Sequence, residues 1–197
     1  MKKILVMVAM AALSTVAFAH DFVVENGTCT VAGEVATSKA PADAYTAAKG
    51  WLNSQGFTQI VPTTDNAGKS FGATVTLNTK SSYNPFAGQF FENLVFTITV
   101  DCQKGKATYK CENIQIQEVY AGYGVKNTIN PIATKINELD AAKKAVADAE
   151  NDAAMSKKDK KKILKENGNI IKDREETLNK ATEALNKRIE ALKAALQ

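Results

Sequence analysis

The chain has 197 residues, of which 45% are hydrophobic and 23% are charged, and its formal net charge is +4. This length accommodates one domain of ordinary size and an additional segment. Residues 20–130 contain eight basic and nine acidic side chains, and this neutral balance excludes the basic surface that nucleic-acid binding requires. Because His20 is the only histidine, neither a histidine general base nor a histidine-rich metal centre is expected.

The N-terminal segment has the pattern of a secretory signal. Lys2 and Lys3 precede an apolar run that ends at an A-x-A motif, residues 17–19. The run is about fourteen residues long, shorter than the roughly twenty that a transmembrane helix needs. We therefore expect residues 1–19 to be a signal peptide, cleaved after Ala19. The processed chain is then periplasmic or extracellular and does not span a membrane.

The body begins with a predicted strand and helix. Residues 28–36 alternate well enough for a strand. Pro41 suits the first turn of a helix that runs to about Gln55, and Gly56 supplies its C-terminal stop. The apolar residues of this helix recur at intervals of three and four, which predicts one buried face. They are Ala44, Ala48, Trp51 and Leu52, with Tyr45 beside them.

Four further strands are expected in the body. Residues 57–62 form a short strand, and apolar and polar residues alternate over residues 71–77 and again over residues 94–100. A two-residue hairpin turn at residues 104–105 returns the next strand to the same face. The alternation then changes phase, so we expect a β-bulge near residues 112–113.

This order of elements predicts an α+β fold. Residues 20–130 form an antiparallel sheet of about five strands with one helix packed on it, and residues 131–197 form a C-terminal helical hairpin or coiled-coil arm.

Parts of the body resemble an exported bacterial family, domain of unknown function 4468. The resemblance lies in the helix from Ala40 through Tyr45 to Trp51, the strand containing Gly72 after the turn at 65–68, and the strand pair around 101–109. That family is described as having a TBP-like fold, one similar to the TATA-binding protein. The resemblance covers about residues 28–120. It implies a fold, and it implies no activity, cofactor or catalytic residue.

The segment between the third and fourth strands, residues 81–93, is expected to be a long loop rich in aromatic residues. Such a loop can present a binding surface to a protein partner, a glycan or a lipid headgroup. The alternative is that its aromatic side chains fold back over the open face of the sheet, because apolar side chains usually find cover. The candidate binding residues are Tyr83, Phe86, Phe90 and Phe91.

Tyr120 and Tyr123 are assigned to a linker that follows the body. From residue 131 onward, apolar residues recur at helical spacing. Ser156 and Asp159 form a capping box, which predicts that a second helix starts near Lys157. Apolar residues in this helix recur every seven residues, and the phase continues through the glycine at 168, which favours one rod of about 60 Å. They are Leu164, Ile171, Leu178, Leu185 and Leu192.

The first arm helix is too short to cover the whole second helix. The later leucines therefore need another surface, either the sheet of the body or a second protomer, and we expect docking on the body with some self-association. The tip of the arm carries a run of lysines, which could attract anionic lipid, lipopolysaccharide or an acidic protein. The alternative is that these lysines are only solvated and keep the tip soluble. These are Lys157, Lys158, Lys160, Lys161, Lys162 and Lys165.

Three cysteines, Cys29, Cys102 and Cys111, follow the signal segment. The predicted hairpin places Cys102 and Cys111 four residues out of register, about 13 Å apart. That distance exceeds the roughly 7 Å that a disulfide tolerates. Cys29 pairs with one of them if its strand is a neighbour, or all three are small buried thiols. No C-x-x-C spacing indicates a metal site.

The sequence contains no phosphate-binding glycine-rich loop, activated cysteine or metal-ligand cluster, so we expect no cofactor and no catalytic residue. The remaining catalytic candidates are Asp101, Glu112 and Glu118, as a glycosidase-type carboxylate pair. We expect an exported, non-enzymatic envelope protein that binds a partner or small ligand, with protein partners or self-association through residues 131–197 and a possible envelope lipid or glycan. The alternatives are a periplasmic holdase chaperone and a carboxylate-based glycosidase or glycan binder.

Overall fold

Strands and helices follow one another along nearly the whole described chain. A computed structural model describes residues 23–25, 28–86, 88–122 and 124–197. The predicted signal peptide, His20 and Tyr123 lie outside the described residues. The elements are β1 (Val23–Glu25), β2 (Thr28–Ala36), α1 (Pro41–Ser54), β3 (Gln59–Asn66), β4 (Ser70–Asn84), β5 (Gly88–Gln103), β6 (Lys106–Gly122), β7 (Gly124–Pro131), α2 (Ile132–Asn151) and α3 (Lys157–Leu196).

The strands form one antiparallel sheet in the order β1-β2-β6-β5-β4-β3. The long strand β6 pairs with β2 through its first half and with β7 through its second half, so β2 and β7 share one of its edges. The α+β architecture with an antiparallel sheet is therefore confirmed. The sheet contains two strands, β1 and β7, beyond the five that the alternation predicts.

The centre of the sheet follows the predicted register. Cys102 lies opposite Ala107, and Cys111 lies opposite Ile98. The expected bulge is also present, since the pairing passes from Thr97 with Glu112 to Val95 with Gln115, and Asn113 has a φ of 53°. This extra residue returns the apolar side chains that follow it, Ile114 and Ile116, to the buried face.

All three described helices contribute to the core on one face of this sheet. Helix α1 buries the predicted stripe of Ala44, Ala48, Trp51 and Leu52. The C-terminal half of α3 buries Leu178, Leu185 and Leu192 in the same cluster. The Trp51 indole donates a hydrogen bond of 3.0 Å to the carbonyl oxygen of Arg188. The helices α1 and α3 therefore lie side by side over the apolar strands.

Helix α3 is continuous through Gly168, as the seven-residue phase indicates, and the Ser156 side chain accepts a hydrogen bond from the backbone nitrogen of Asp159 at its start. Its two halves have different surroundings. No residue from 140 to 170 belongs to the sheet-centred core, and the buried side chains there are Ala142 and Ala149. We call residues 140–170 of α2, its turn and α3 the distal hairpin. Among the described helices, none has the length and apolar character needed to cross a bilayer.

The expectation of a long loop over residues 81–93 is wrong. Strands β4 and β5 continue to Asn84 and from Gly88, so that only a tight turn separates them. The expected linker around Tyr120 is wrong as well, because Tyr120 lies in β6 opposite Phe90. Serine and asparagine, which recur in residues 81–93, favour turns in isolation, but here the ladder of backbone hydrogen bonds with a neighbouring strand outweighs that preference.

The three cysteines are free thiols, and each is buried. Burial raises the pKa of Cys29 and of Cys102, and it raises the pKa of Cys111 to about 12. Of the two arrangements left open by the sequence, the structure has the buried thiols.

We expect Leu185→Ala to lower the free energy of unfolding by about 2–5 kcal/mol, because the truncation leaves a cavity in the core. The matched control is Leu164→Ala, the same change at an equivalent heptad position of the distal hairpin, where the side chain is only half-buried. Urea denaturation of both variants measures the difference. Equal losses would contradict the division of α3 into a core half and a distal half.

Candidate functional site

A cleft of about 530 Å³ lies where β4, β5 and β6 meet α3. We call it the sheet-end cleft. Every one of these elements contributes at least one charged side chain to its lining, and the two central strands also contribute aromatic rings. The lining includes Lys80, Ser82, Phe90, Glu92, Glu118, Tyr120, Asp173 and Arg174.

The strand period explains why these side chains meet. In β5 the buried face that holds Leu94 continues two residues earlier to Glu92 and four residues earlier to Phe90. In β6 the face that holds Ile116 continues to Glu118, which lies directly opposite Glu92. A register shift between Asn78 and Lys80 places Lys80 opposite Glu92 as well. The apolar face therefore turns into a charged face towards this end of the sheet.

Glu118 is neutralised by a lysine of α2. The Nζ atom of Lys135 lies 2.9 Å from a carboxylate oxygen of Glu118, and Lys135 is only 4% exposed. Lys135 occupies the buried stripe of its helix between Ile132 and Leu139. A lysine this deeply buried requires a charged partner, so the pair fixes the start of α2 against β6.

Glu92 is a buried carboxyl group held by hydroxyl groups. It is 2% exposed, and it accepts hydrogen bonds from Thr177 of α3 at 3.0 Å and from Thr79 at 3.5 Å. Burial raises the pKa of Glu92 above its ordinary value, although the Thr177 hydrogen bond and the charge of Lys80 act in the opposite direction. The negative charges of Glu118 and Asp173 add to the rise.

Ion pairs hold the cationic groups at the rim of the cleft. Lys80 lies 3.1 Å from Glu176, which also binds Lys180 at 2.8 Å, and these two lysines lower the pKa of Glu176 to about 2. Burial opposes the charge of Lys80, but Glu176 outweighs this effect and the pKa of Lys80 is raised. Arg174 binds Glu138 at 2.5 Å and also pairs with its neighbour Asp173.

The four predicted aromatic residues do not form one surface. Phe90 enters the sheet-end cleft and packs against Tyr120, with ring centroids 4.7 Å apart. Phe91 lies on the opposite face of the sheet, because neighbouring strand residues point in opposite directions. Tyr83 and Phe86 lie at the end of the hairpin and are 71% and 89% exposed.

The predicted lysine cluster lies on the first turns of α3, at the end of the distal hairpin and apart from the cleft lining. Five of the six side chains are exposed, and Lys160 is half-buried and donates a hydrogen bond to the carbonyl oxygen of Glu150. Among the described residues, no salt bridge involves any of the six. Their positive charge is therefore not paired with any acidic side chain in the described part of the chain.

The three candidate carboxylates do not converge. Asp101 and Glu112 line a second concavity on the open face of the sheet, where Glu112 pairs with Lys110. Glu118 lies on the other face. The partner of Glu118 across the strands is Glu92, which the sequence reasoning missed, as it missed Lys135 and Thr177. The spacing of apolar residues could have identified them, because each of these three polar residues lies at or next to a position that the apolar pattern of its strand or helix assigns to the buried face.

The chemical character of the sheet-end cleft is mixed. It offers carboxylates, two cationic side chains, hydroxyl groups and an aromatic pair, which together suit a small polar ligand with some apolar surface. Within the described part of the chain, no group of three or more His, Cys, Asp or Glu side chains is arranged to hold a metal ion.

Comparison with solved structures identifies chains of similar fold. A TBP-like protein from Parabacteroides distasonis ATCC 8503 matches with a TM-score of 0.51 and 12% sequence identity, over 88% of this chain and 96% of that one. A DUF4468 family protein from Bacteroides ovatus ATCC 8483 matches with a TM-score of 0.46 and 14% identity, over 88% and 91% of the two chains. No family model and no curated protein matches this sequence.

The first of these neighbours confirms the TBP-like fold that the sequence resemblance implies. The second bears the family name to which the sequence was likened. At such low identity the likeness establishes the fold alone, and neither protein's name specifies an activity. Function therefore has to be argued from the cleft itself.

We expect Lys135→Met to lower the free energy of unfolding by about 3 kcal/mol, because it leaves the partly buried Glu118 carboxylate without its cation. The double variant that adds Glu118→Gln removes both charges and should recover most of that loss. Urea denaturation of the single and double variants tests the pair. A double variant no more stable than Lys135→Met would show that packing of the lysine chain, and not charge pairing, is what matters.

Proposed function

We propose that this chain is an exported, non-enzymatic binding module of the bacterial envelope, and that the sheet-end cleft holds a small polar ligand. The observation that carries the proposal is the fixed arrangement of charged groups around the cleft. Lys135 positions Glu118, Thr177 positions Glu92, and Glu138 positions Arg174. Side chains that are already held in place lose little conformational entropy on binding, which favours affinity.

The size of the cleft supports the same proposal. Its volume of about 530 Å³ lies within the range of roughly 300–1,000 Å³ found for small-molecule sites. The rings of Phe90 and Tyr120, whose planes are tilted by 46° to each other, offer an apolar wall against which the face of a sugar ring can pack. A glycan fragment is therefore one ligand class that fits the lining.

Binding is preferred over catalysis because two of the three carboxyl groups that line the cleft are held by cations. Glu118 forms an ion pair with Lys135, and Asp173 pairs with Arg174. A carboxylate held by a cation is a weaker base than one left without a partner. The signal pattern of residues 1–19 supports export to the periplasm or the cell exterior.

The distal hairpin supports a second part of the proposal, an interaction arm for a protein partner or for self-association. It contributes nothing to the sheet-centred core, and the six lysines at its tip make no salt bridge with a described residue. A positive patch of this kind attracts acidic surfaces. Because α3 also supplies the core, removal of all residues from 131 onward would unfold the body and cannot test the arm.

We expect Ser82→Trp to abolish ligand binding, because the indole fills the cleft from an exposed position on β4. The control is Ser81→Trp, the same change at the neighbouring exposed residue, which faces the opposite side of the sheet. Thermal stability in the presence of a small-molecule extract of bacterial envelopes is the measurement. A ligand at a hundred times its dissociation constant adds about 2.7 kcal/mol. Stabilisation that persists in Ser82→Trp would refute the cleft as the site.

We expect a chain in which residues 142–169 are replaced by a short glycine-serine turn to fold normally and to lose its partners. The shortened helices keep the contact between Glu138 and Arg174, and all of the core residues remain. Circular dichroism checks folding, while light scattering and pull-down from native envelopes measure self-association and capture. An unchanged mass and an unchanged set of captured proteins would refute a role for the arm.

A further inference from the structure

The carboxyl groups of the sheet-end cleft differ in one respect, which is whether they have a cationic partner. Glu118 pairs with Lys135, Asp173 with Arg174, and Glu176 at the rim with Lys80 and Lys180. Glu92 makes no salt bridge with any residue of the described chain, and its partners are the hydroxyl groups of Thr177 and Thr79. The most deeply buried carboxyl group of the cleft is thus the one without a salt bridge, and the charge of Lys80 acts on it only from across the strands.

We propose that the sheet-end cleft binds a ligand bearing a primary ammonium group, and that Glu92 is the counter-ion of that group. This inference rests on the proposed function, since it assigns a ligand class to the same cleft. A buried carboxylate is costly unless a cation compensates it, and an ammonium group supplies three donors as well as the charge. Lys80 lies opposite Glu92 but forms its salt bridge with Glu176, and no described lysine or arginine forms one with Glu92, so a cation from the ligand has a defined place.

The rest of the cleft suits the remainder of such a ligand. The ring of Phe90, packed on Tyr120, lies two residues before Glu92 on the same face of β5, so an apolar stem or sugar face next to the ammonium group meets an aromatic surface. Aromatic faces also attract cations directly. At the rim, Arg174 and Ser82 offer donors to hydroxyl or anionic groups farther along the ligand.

Ligand binding at this site is also coupled to the protonation of Glu92. Burial favours the protonated form of Glu92, and its pKa is raised. Ammonium binding favours the ionised form, so binding releases a proton from whatever fraction of Glu92 is protonated in the free protein. The charged and titratable groups that face Glu92 are Lys80 of β4, Glu118 and Tyr120 of β6 and Asp173 of α3, with Lys135 of α2 behind Glu118. Affinity should therefore fall as the pH falls below the raised pKa of Glu92.

Isothermal titration calorimetry with two pairs of probes tests the inference. Glucosamine is compared with N-acetylglucosamine, and Nα-acetyl-lysine amide with Nα-acetyl-norleucine amide, which lacks only the amine. At least one ammonium probe should bind roughly tenfold to a hundredfold more tightly than its neutral analogue, as expected for a charged hydrogen bond. The two pairs also separate an amino sugar from a lysine-type amine as the source of the group.

Variants of the full chain complete the test. Glu92→Gln keeps an oxygen for the Thr177 hydrogen bond, and it should remove both the preference for the amine and the pH dependence of binding. Glu34→Gln, a change at an exposed carboxylate on the open face, is the control and should change neither.

Equal affinity for amine and neutral probes that is lost in Ser82→Trp would overturn the amine assignment and leave the cleft as a binding site. If no ammonium probe binds, or if Glu92→Gln binds the amine unchanged, the inference is wrong.

Discussion

The apolar face of the three long strands β4, β5 and β6 has to be shielded from water by helices. The rest of the structure depends on which helices do this. Helix α1 is too short to cover it alone, so the C-terminal half of α3 lies beside it. Leu185 and Leu192 join the same buried cluster as Phe96 and Ile98. Side-chain hydrogen bonds to the α3 backbone, from Trp51 to the carbonyl oxygen of Arg188 and from Thr37 to that of Leu196, hold the helix in place. Residues more than a hundred positions apart in the chain therefore share one core.

The sheet-end cleft is a consequence of this cover. The strands continue beyond the apolar rows, and the same face that carries Leu94 and Ile116 then carries Glu92 and Glu118. Charged groups at the edge of a core are tolerated only with partners, and the partners come from the two helices, as Lys135 from α2 and Thr177 from α3. If these positions were apolar, the strands and helices would pack together and leave no cleft. Because they are charged and paired, a polar site remains between them.

Much of this fold could be predicted from local patterns. The alternation of β5 and β6, the turn at Gly105, the bulge near Asn113 and the cap at Ser156 all follow from the preferences of a few neighbouring residues. The site could not be predicted in the same way. The hypothesis that joined Asp101, Glu112 and Glu118 failed because the bulge reverses the facing of residues on either side of it. The pairing of Glu92 with Glu118 depends on the register between β5 and β6. That register could not be predicted here, because the composition of residues 81–93 is typical of a loop.

The sequence by itself determined where the three described helices and the central parts of β2 to β6 lie and which side of each is apolar, because both depend on spacings of two to four residues. It also determined that α3 is one continuous helix with an apolar seam. Only the tertiary structure decided what that seam packs against, that residues 81–93 pair as strands, and that Glu92 is the carboxyl group lining the cleft that forms no salt bridge among the described residues. These outcomes depend on contacts between distant segments, whose free energies exceed the local preferences of the residues involved.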